Sequence, residues 1–332
     1  MGQRNSSVDI AKGLLVMGVV YYHMFTILTE SCGIESPTFR TMYNLHVGYT
    51  VFFMPAFFVL TGYCSNFTRS FGQFLLTNVR AILVPMLMLN LIPCLLSFNV
   101  EALRFMIDGT RWLWGLSFWF LPSLFLAKLF FWPIAHYVTD YRWSWGLSIL
   151  CLIVALTVQN FHIGTNYWYW KPSLAYVFFM QIGHWLRQCE RKDLVMKIGA
   201  VVYISTFPLW LFMYRLGWPN IGLSISCSWN DVVPYLISSI SGCLCVMYVS
   251  TLIGKNAIIE YVGKASLVVY CSHWFIAQHI GKYLNFVIPV DNSIKAVAFY
   301  LISFVIAVVL SCFLYRIYDT KYLRWIIGKK NI

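Results

Sequence analysis

"DIAKGLLVMGVVYYH", residues Asp9 to His23, sets two opposite charges and a histidine inside an apolar run that continues to about Leu28. At about 100° per residue, the steps from Lys12 to His23 make three helical turns plus about 20°, so the two side chains share one stripe. Asp9, three residues before Lys12, joins that stripe. The axial separation of Lys12 and His23 is about 16 Å, roughly half the hydrocarbon thickness of a bilayer. Ionisable groups at such depth avoid lipid and face a polar cavity or the protein interior. An Asp9–Lys12 ion pair beside a core histidine is the plain structural reading. Three ionisable residues on one face point instead to a site.

The rest of the chain decides what kind of helix this is. Of 332 residues, 60% are hydrophobic and only 11% charged, and the mean hydropathy is +0.69. Soluble domains carry about 25% charged residues. The expectation is an all-α, polytopic integral membrane protein, with residues 1–332 forming one domain. A span needs roughly 20 apolar residues. Runs of that kind predict about ten transmembrane helices, at 8–29, 43–64, 80–98, 112–136, 144–160, 172–187, 197–216, 231–253, 264–287 and 296–318. The sixth is short enough to be a half-span.

Charge sets the expected orientation. With Lys12 and Lys128 left inside the membrane, fifteen basic residues fall on the side shared by the N-terminus and seven on the other. Cytoplasmic loops carry the excess of Lys and Arg, so both termini are expected in the cytoplasm, as an even number of spans requires. The formal charge of +12 is then read as a basic excess in cytoplasmic loops, and no nucleic-acid partner is expected. The first apolar run lacks a small-residue cleavage site and reads as a retained helix. The ten cysteines have no metal-like spacing, and most read as small apolar fillers. Cys32 and Cys227 are the pair that two external loops would allow to meet. No metal site, P-loop or dinucleotide fingerprint is present in the sequence.

Several segments, in order, resemble the membrane acyltransferase-3 family, most closely its fucose 4-O-acetylase-like branch. "VDIAKGLLVMGVVYYH" carries a basic residue, ten residues and a histidine, here Lys12 and His23. "FFMPAFFVLTGY" (Phe52–Tyr63), "VRAILVP" (Val79–Pro85), "FWFLPSLFLAKLFF" (Phe118–Phe131) and "YVGKASLVVYCSH" (Tyr261–His273) are similar to later segments of that family. The resemblance implies transfer of an acyl group, most often acetyl from acetyl-CoA, to a hydroxyl of a cell-surface or lipid-linked glycan. The bacterial inner membrane is the location this implies. His23 would be the catalytic base, with Lys12 and Arg80 binding the coenzyme A phosphates. Asp9, Trp119 and His273 would support or bind the substrate. The family often carries two arginines before its third helix, and here Thr77 stands where the first would be.

The expected chemistry is general-base catalysis, in which an uncharged histidine takes the proton of the attacking hydroxyl. An acyl-histidine intermediate is the alternative course. A transporter or flippase for a glycan or small solute is the competing function. It would also need buried charges and aromatics, but the chain shows no internal repeat. Ser266 and Lys264 read equally as a helix start or a cytoplasmic rim. Gly62 reads as a point of close helix contact. His46, His136, His162, His184 and His279 have no partner pattern and read as structural. Lys128 stands out as an intramembrane cation that either snorkels or serves the site.

Overall fold

A computed structural model describes residues 5–47, 51–96, 118–215 and 229–329. Asparagine or aspartate starts several of its helices, because a side-chain oxygen there accepts one of the backbone N–H groups that a first turn leaves over. Asn5 accepts from the Ser7 N–H at 3.0 Å and opens α1, Ser6–Thr26. α2 is Pro37–Val47, α3 Phe53–Cys64, α4 Phe71–Asn78, α5 Val84–Leu96 and α6 Phe120–Tyr137. Asp140 caps α7, Tyr141–Asn160; α8 is Trp170–Gln188, α9 Lys192–Arg215 and α10 Val232–Ile253. Asn256 caps α11, Ala257–Val287, and Asn292 caps α12, Ser293–Tyr318. Among the described residues no β-strand forms.

Among the described residues, five helical segments are long and apolar enough to cross a membrane: Ser6–Ser31, Phe71–Pro93, Tyr141–Asn160, Val232–Ile253 and Ser293–Tyr318. The other expected spans also fall on helices, with two changes of boundary. The run at 43–64 divides between α2 and α3, with 48–50 outside the described residues. The run expected from Arg80 begins earlier, because α4 continues through a π turn, Val79–Leu83, into α5. Residues 97–98, 112–117 and 216 of the expected spans lie outside the described residues, as does Cys227. Cys32, its expected companion, directs its thiol to the Gln278 carbonyl at 3.4 Å.

α1 lies at the centre, packing against α3, α10, α12 and most extensively α11. Its contact with α11 runs through paired glycines. A Cβ on Gly263 would overlap the carbonyl oxygen of Asp9, and one on Gly13 would overlap that of Ile259. α3 and α8 make a second such crossing, where a Cβ on Gly62 would overlap the Met180 carbonyl and one on Gly183 that of Val59. Gly62 therefore has the role its sequence context predicts. Small residues let helix backbones approach closely, which matters where lipid removes the hydrophobic drive between helices.

One end of the bundle gathers helix connections that carry many of the basic residues, among them Arg69, Arg187 and Lys255. There the Ser6 hydroxyl donates to the Gly254 carbonyl and to Glu260. Arg187 donates to the Ser65 carbonyl at 3.0 Å, His136 to that of Phe67 at 2.8 Å and Trp132 to that of Arg69 at 3.3 Å.

Candidate active site

The glycine crossing decides where His23 looks. α1 and α11 run in the same direction, with Ser6 of one beside Glu260 of the other. From Gly13 to His23 is ten residues, and from Gly263 to His273 is also ten. Each histidine is therefore carried about 15 Å beyond the contact, to the same level. Their rings meet with centroids 5.3 Å apart and tilted by 32°. Trp274, the neighbour of His273, sets its indole edge-on to His23 at 5.5 Å, and Tyr22 sets its phenol edge-on at 5.3 Å. A π turn, Ile27–Ser31, ends α1 four residues beyond His23. Such bulges are frequent at functional sites.

Both histidines line a cavity of about 490 Å³. Trp119, at the start of α6, lines it as well, with Asn90 and Leu89 from α5 and Tyr270 from α11. His273 directs Nδ1 to the carbonyls of Val269 and Tyr270, at 3.0 and 2.8 Å. Carbonyls only accept, so Nδ1 carries the proton and Nε2 holds the lone pair. That Nε2 is buried and has no hydrogen-bond partner among the described residues. Buried polar atoms are normally satisfied, so one left over beside a cavity marks a place for an incoming hydroxyl or N–H. Asn90 donates its amide to the Met86 carbonyl at 2.7 Å, which leaves its oxygen as a second acceptor.

The other predicted residues lie nearer the charged end. Lys12 and Asp9 sit one to two turns inside α1; Asp9 is buried and Lys12 half-buried. Both lie within electrostatic reach of the Cys64 thiol at the end of α3, together with Arg187 and Lys128. Arg80 is half-buried on the π turn between α4 and α5, where Gly328 of the C-terminal segment packs against its carbonyl. It precedes the cavity residue Asn90 by ten positions, again about 15 Å along a helix. The six predicted residues thus divide into two levels. His23, His273 and Trp119 share the cavity, whereas Lys12, Asp9 and Arg80 do not line it.

Sequence reasoning missed Asn90, Tyr270 and Trp274. Tyr270 lies three residues before His273, on the same helical face, and that spacing was the available signal. Asn90 and Trp274 stand in apolar runs whose inward faces cannot be told apart by hydropathy. Of the histidines read as structural, His46 meets the Gly18 carbonyl at 2.9 Å, His136 the Phe67 carbonyl and His279 the Phe275 carbonyl at 2.8 Å. His184 pairs with Gln188 at 3.1 Å.

Long apolar helices, with no strand among the described residues, and a cavity lined by two histidines are the features of an integral membrane protein with an internal polar site. Residues 5–316 match the acyltransferase-3 family, described as an acyltransferase domain. The chain belongs to that family, and membrane acyl transfer is its general activity. No curated protein and no solved structure matches it.

Proposed function

We propose that this protein is a membrane O-acyltransferase that moves an acetyl group from acetyl-CoA to a hydroxyl of a cell-surface or lipid-linked glycan. The observation that carries the reading is the meeting of His23 and His273 over a cavity lined by Trp119, in a chain of this family. His23 is the general base. The acceptor hydroxyl attacks the thioester carbonyl, its proton passes to His23, the C–S bond breaks, and the proton moves on to the coenzyme A thiolate. The unpartnered Nε2 of His273 accepts a hydrogen bond that orients the hydroxyl or the His23 ring. The aromatic lining offers Trp119 and Trp274 as faces for a sugar ring.

Lys12 and Arg80 hold the coenzyme A phosphates at the charged end, and Asp9 orients Lys12. The separation of about 16 Å between Lys12 and His23 is of the order that an extended pantetheine arm spans. The charge bias supports about ten spans with both termini in the cytoplasm, where acyl-CoA is made. A cell-envelope substrate fits a bacterial inner membrane.

Mass spectrometry of envelope glycans from cells with and without the protein tests the reading. The expected result is loss of one acetyl group per modified sugar, restored by the wild-type protein and not by His23→Ala present at equal level. Unchanged glycans, together with solute uptake by the protein in liposomes, would replace the reading with transport.

A further inference from the structure

Lys128 is the cation that the proposed reaction leaves without a task. It lies on α6, nine residues before the helix ends at Tyr137, so about 14 Å of helix separates it from that end. A lone cation at such a depth in a membrane helix is unfavourable unless a counter-charge or water meets it. Its ammonium lies 5.9 Å from the centroid of the Phe74 ring on α4, at the outer limit of a cation–π contact. Lys128 and Lys12 are within electrostatic reach of each other, although they come from different helices. Around the Cys64 thiol these two lysines, Arg187 and the carboxylate of Asp9 all act, so among these groups cations outnumber the carboxylate. Like charges gathered in a poorly hydrated space repel one another, and an incoming polyanion relieves that repulsion. α6 also packs against the π turn that holds Arg80. Over α4 and that turn, Arg80 is the one basic residue in the sequence, so Lys128 brings a second cation to the same wall.

We infer that Lys128 closes a phosphate-binding cradle with Lys12, and that the cradle takes the diphosphate or ribose phosphate of the coenzyme A donor. The inference rests on the proposed function and adds a residue to its donor end. Snorkelling alone would give Lys128 no part in ligand binding. Phospholipid headgroups offer the same phosphate chemistry as the nucleotide, so the test carries an arm for each.

Purified full-length protein in neutral detergent is titrated by equilibrium dialysis and thermal melting with coenzyme A, adenosine 3′,5′-bisphosphate and pantetheine. Wild type is expected to bind the first two, and Lys128→Gln to bind both at least about tenfold more weakly, the size of one charge-assisted contact. Lys128→Arg restores most of the affinity, and pantetheine, which lacks the phosphates, does not distinguish the variants. Unliganded melting temperatures of both variants near that of wild type establish that they are folded. Coenzyme A binding by Lys128→Gln at wild-type strength overturns the inference and leaves the proposed donor intact. Wild type indifferent to coenzyme A overturns the donor assignment and, with it, the cradle. Stabilisation by phosphatidylglycerol that depends on Lys128, without any response to coenzyme A, overturns it in favour of a lipid site.

Discussion

Among the described residues, two helix pairs cross through paired glycines, and they are put to different uses. At the α3–α8 crossing, Gly62 and Gly183 bring the backbones together, and the next turn stacks Phe58 on Tyr176 with centroids 3.8 Å apart and planes within 7°. Both rings are fully buried, and neither lines the cavity that holds the two histidines. At the α1–α11 crossing, the same device is followed by ten residues of parallel helix and then by His23 and His273 on an open cavity. Close approach is thus a neutral tool. Its use depends on which side chains the two helices carry beyond the contact, and on whether a third helix fills the space between them.

The comparison is most directly broken at His23. His23→Ala is expected to lower acetyl incorporation into membrane glycans by roughly 10²–10⁴-fold, the usual worth of a general base, while the melting temperature stays near wild type. A fully active, folded His23→Ala protein would remove the chemical distinction between the two crossings.

The glycines come next. Gly263→Val drives a side chain into the Asp9 carbonyl and shifts one histidine against the other, so activity per folded molecule should fall by roughly 10²-fold. Gly62→Val should instead destabilise by about 1–3 kcal/mol and leave the rate per folded molecule within about twofold. Rates normalised to folded protein, measured beside thermal melts, separate the two. Equal loss of rate at both positions would mean that the crossings are not different in kind.

A smaller effect belongs to His273. Its replacement by phenylalanine removes one acceptor, and a loss of about tenfold is expected, the equivalent of a hydrogen bond worth about 1.4 kcal/mol. In the His23→Ala background the same change should add little, because residues acting on one step are not additive. Double-variant kinetics check this.

The smallest change expected is at Glu260, which helps to clamp the starts of α1 and α11. The Ser6 hydroxyl donates to its carboxylate and holds its pKa below the ordinary value. A depressed carboxylate contributes stability that is present above its unfolded pKa, about 4.3, and is lost as pH falls through the folded value. The small gap in melting temperature between wild type and Glu260→Gln should therefore close as the pH is taken below about 4. A gap that widens on acidification would reverse the sign of the clamp.

Much of this was legible before any coordinates. Helical periodicity is local, so the stripe of Asp9, Lys12 and His23 followed from spacing, and the apolar runs marked the helices that the structure forms. Boundaries were less legible. Phe71–Asn78 is short and moderately polar, and only its continuity through a π turn makes it the start of a long helix. Of the candidate site, His23, Trp119 and His273 were named in advance and share the cavity, but their meeting was not readable. Asn90 and Trp274 were invisible because a buried face and a cavity face look alike in an apolar helix.

By itself, then, the sequence determined a helical membrane protein and a first helix with a polar stripe, since both follow from composition and a fixed rise and rotation per residue. Which helices pack, and at what height, was decided by tertiary structure alone. Gly13 and Gly263 are 250 positions apart in the chain, and only their backbone contact sets His23 opposite His273. The same holds for Lys128. Its spacing from Lys12 carries no information, and only the tertiary arrangement of α1 and α6 brings the two ammonium groups within electrostatic reach of each other.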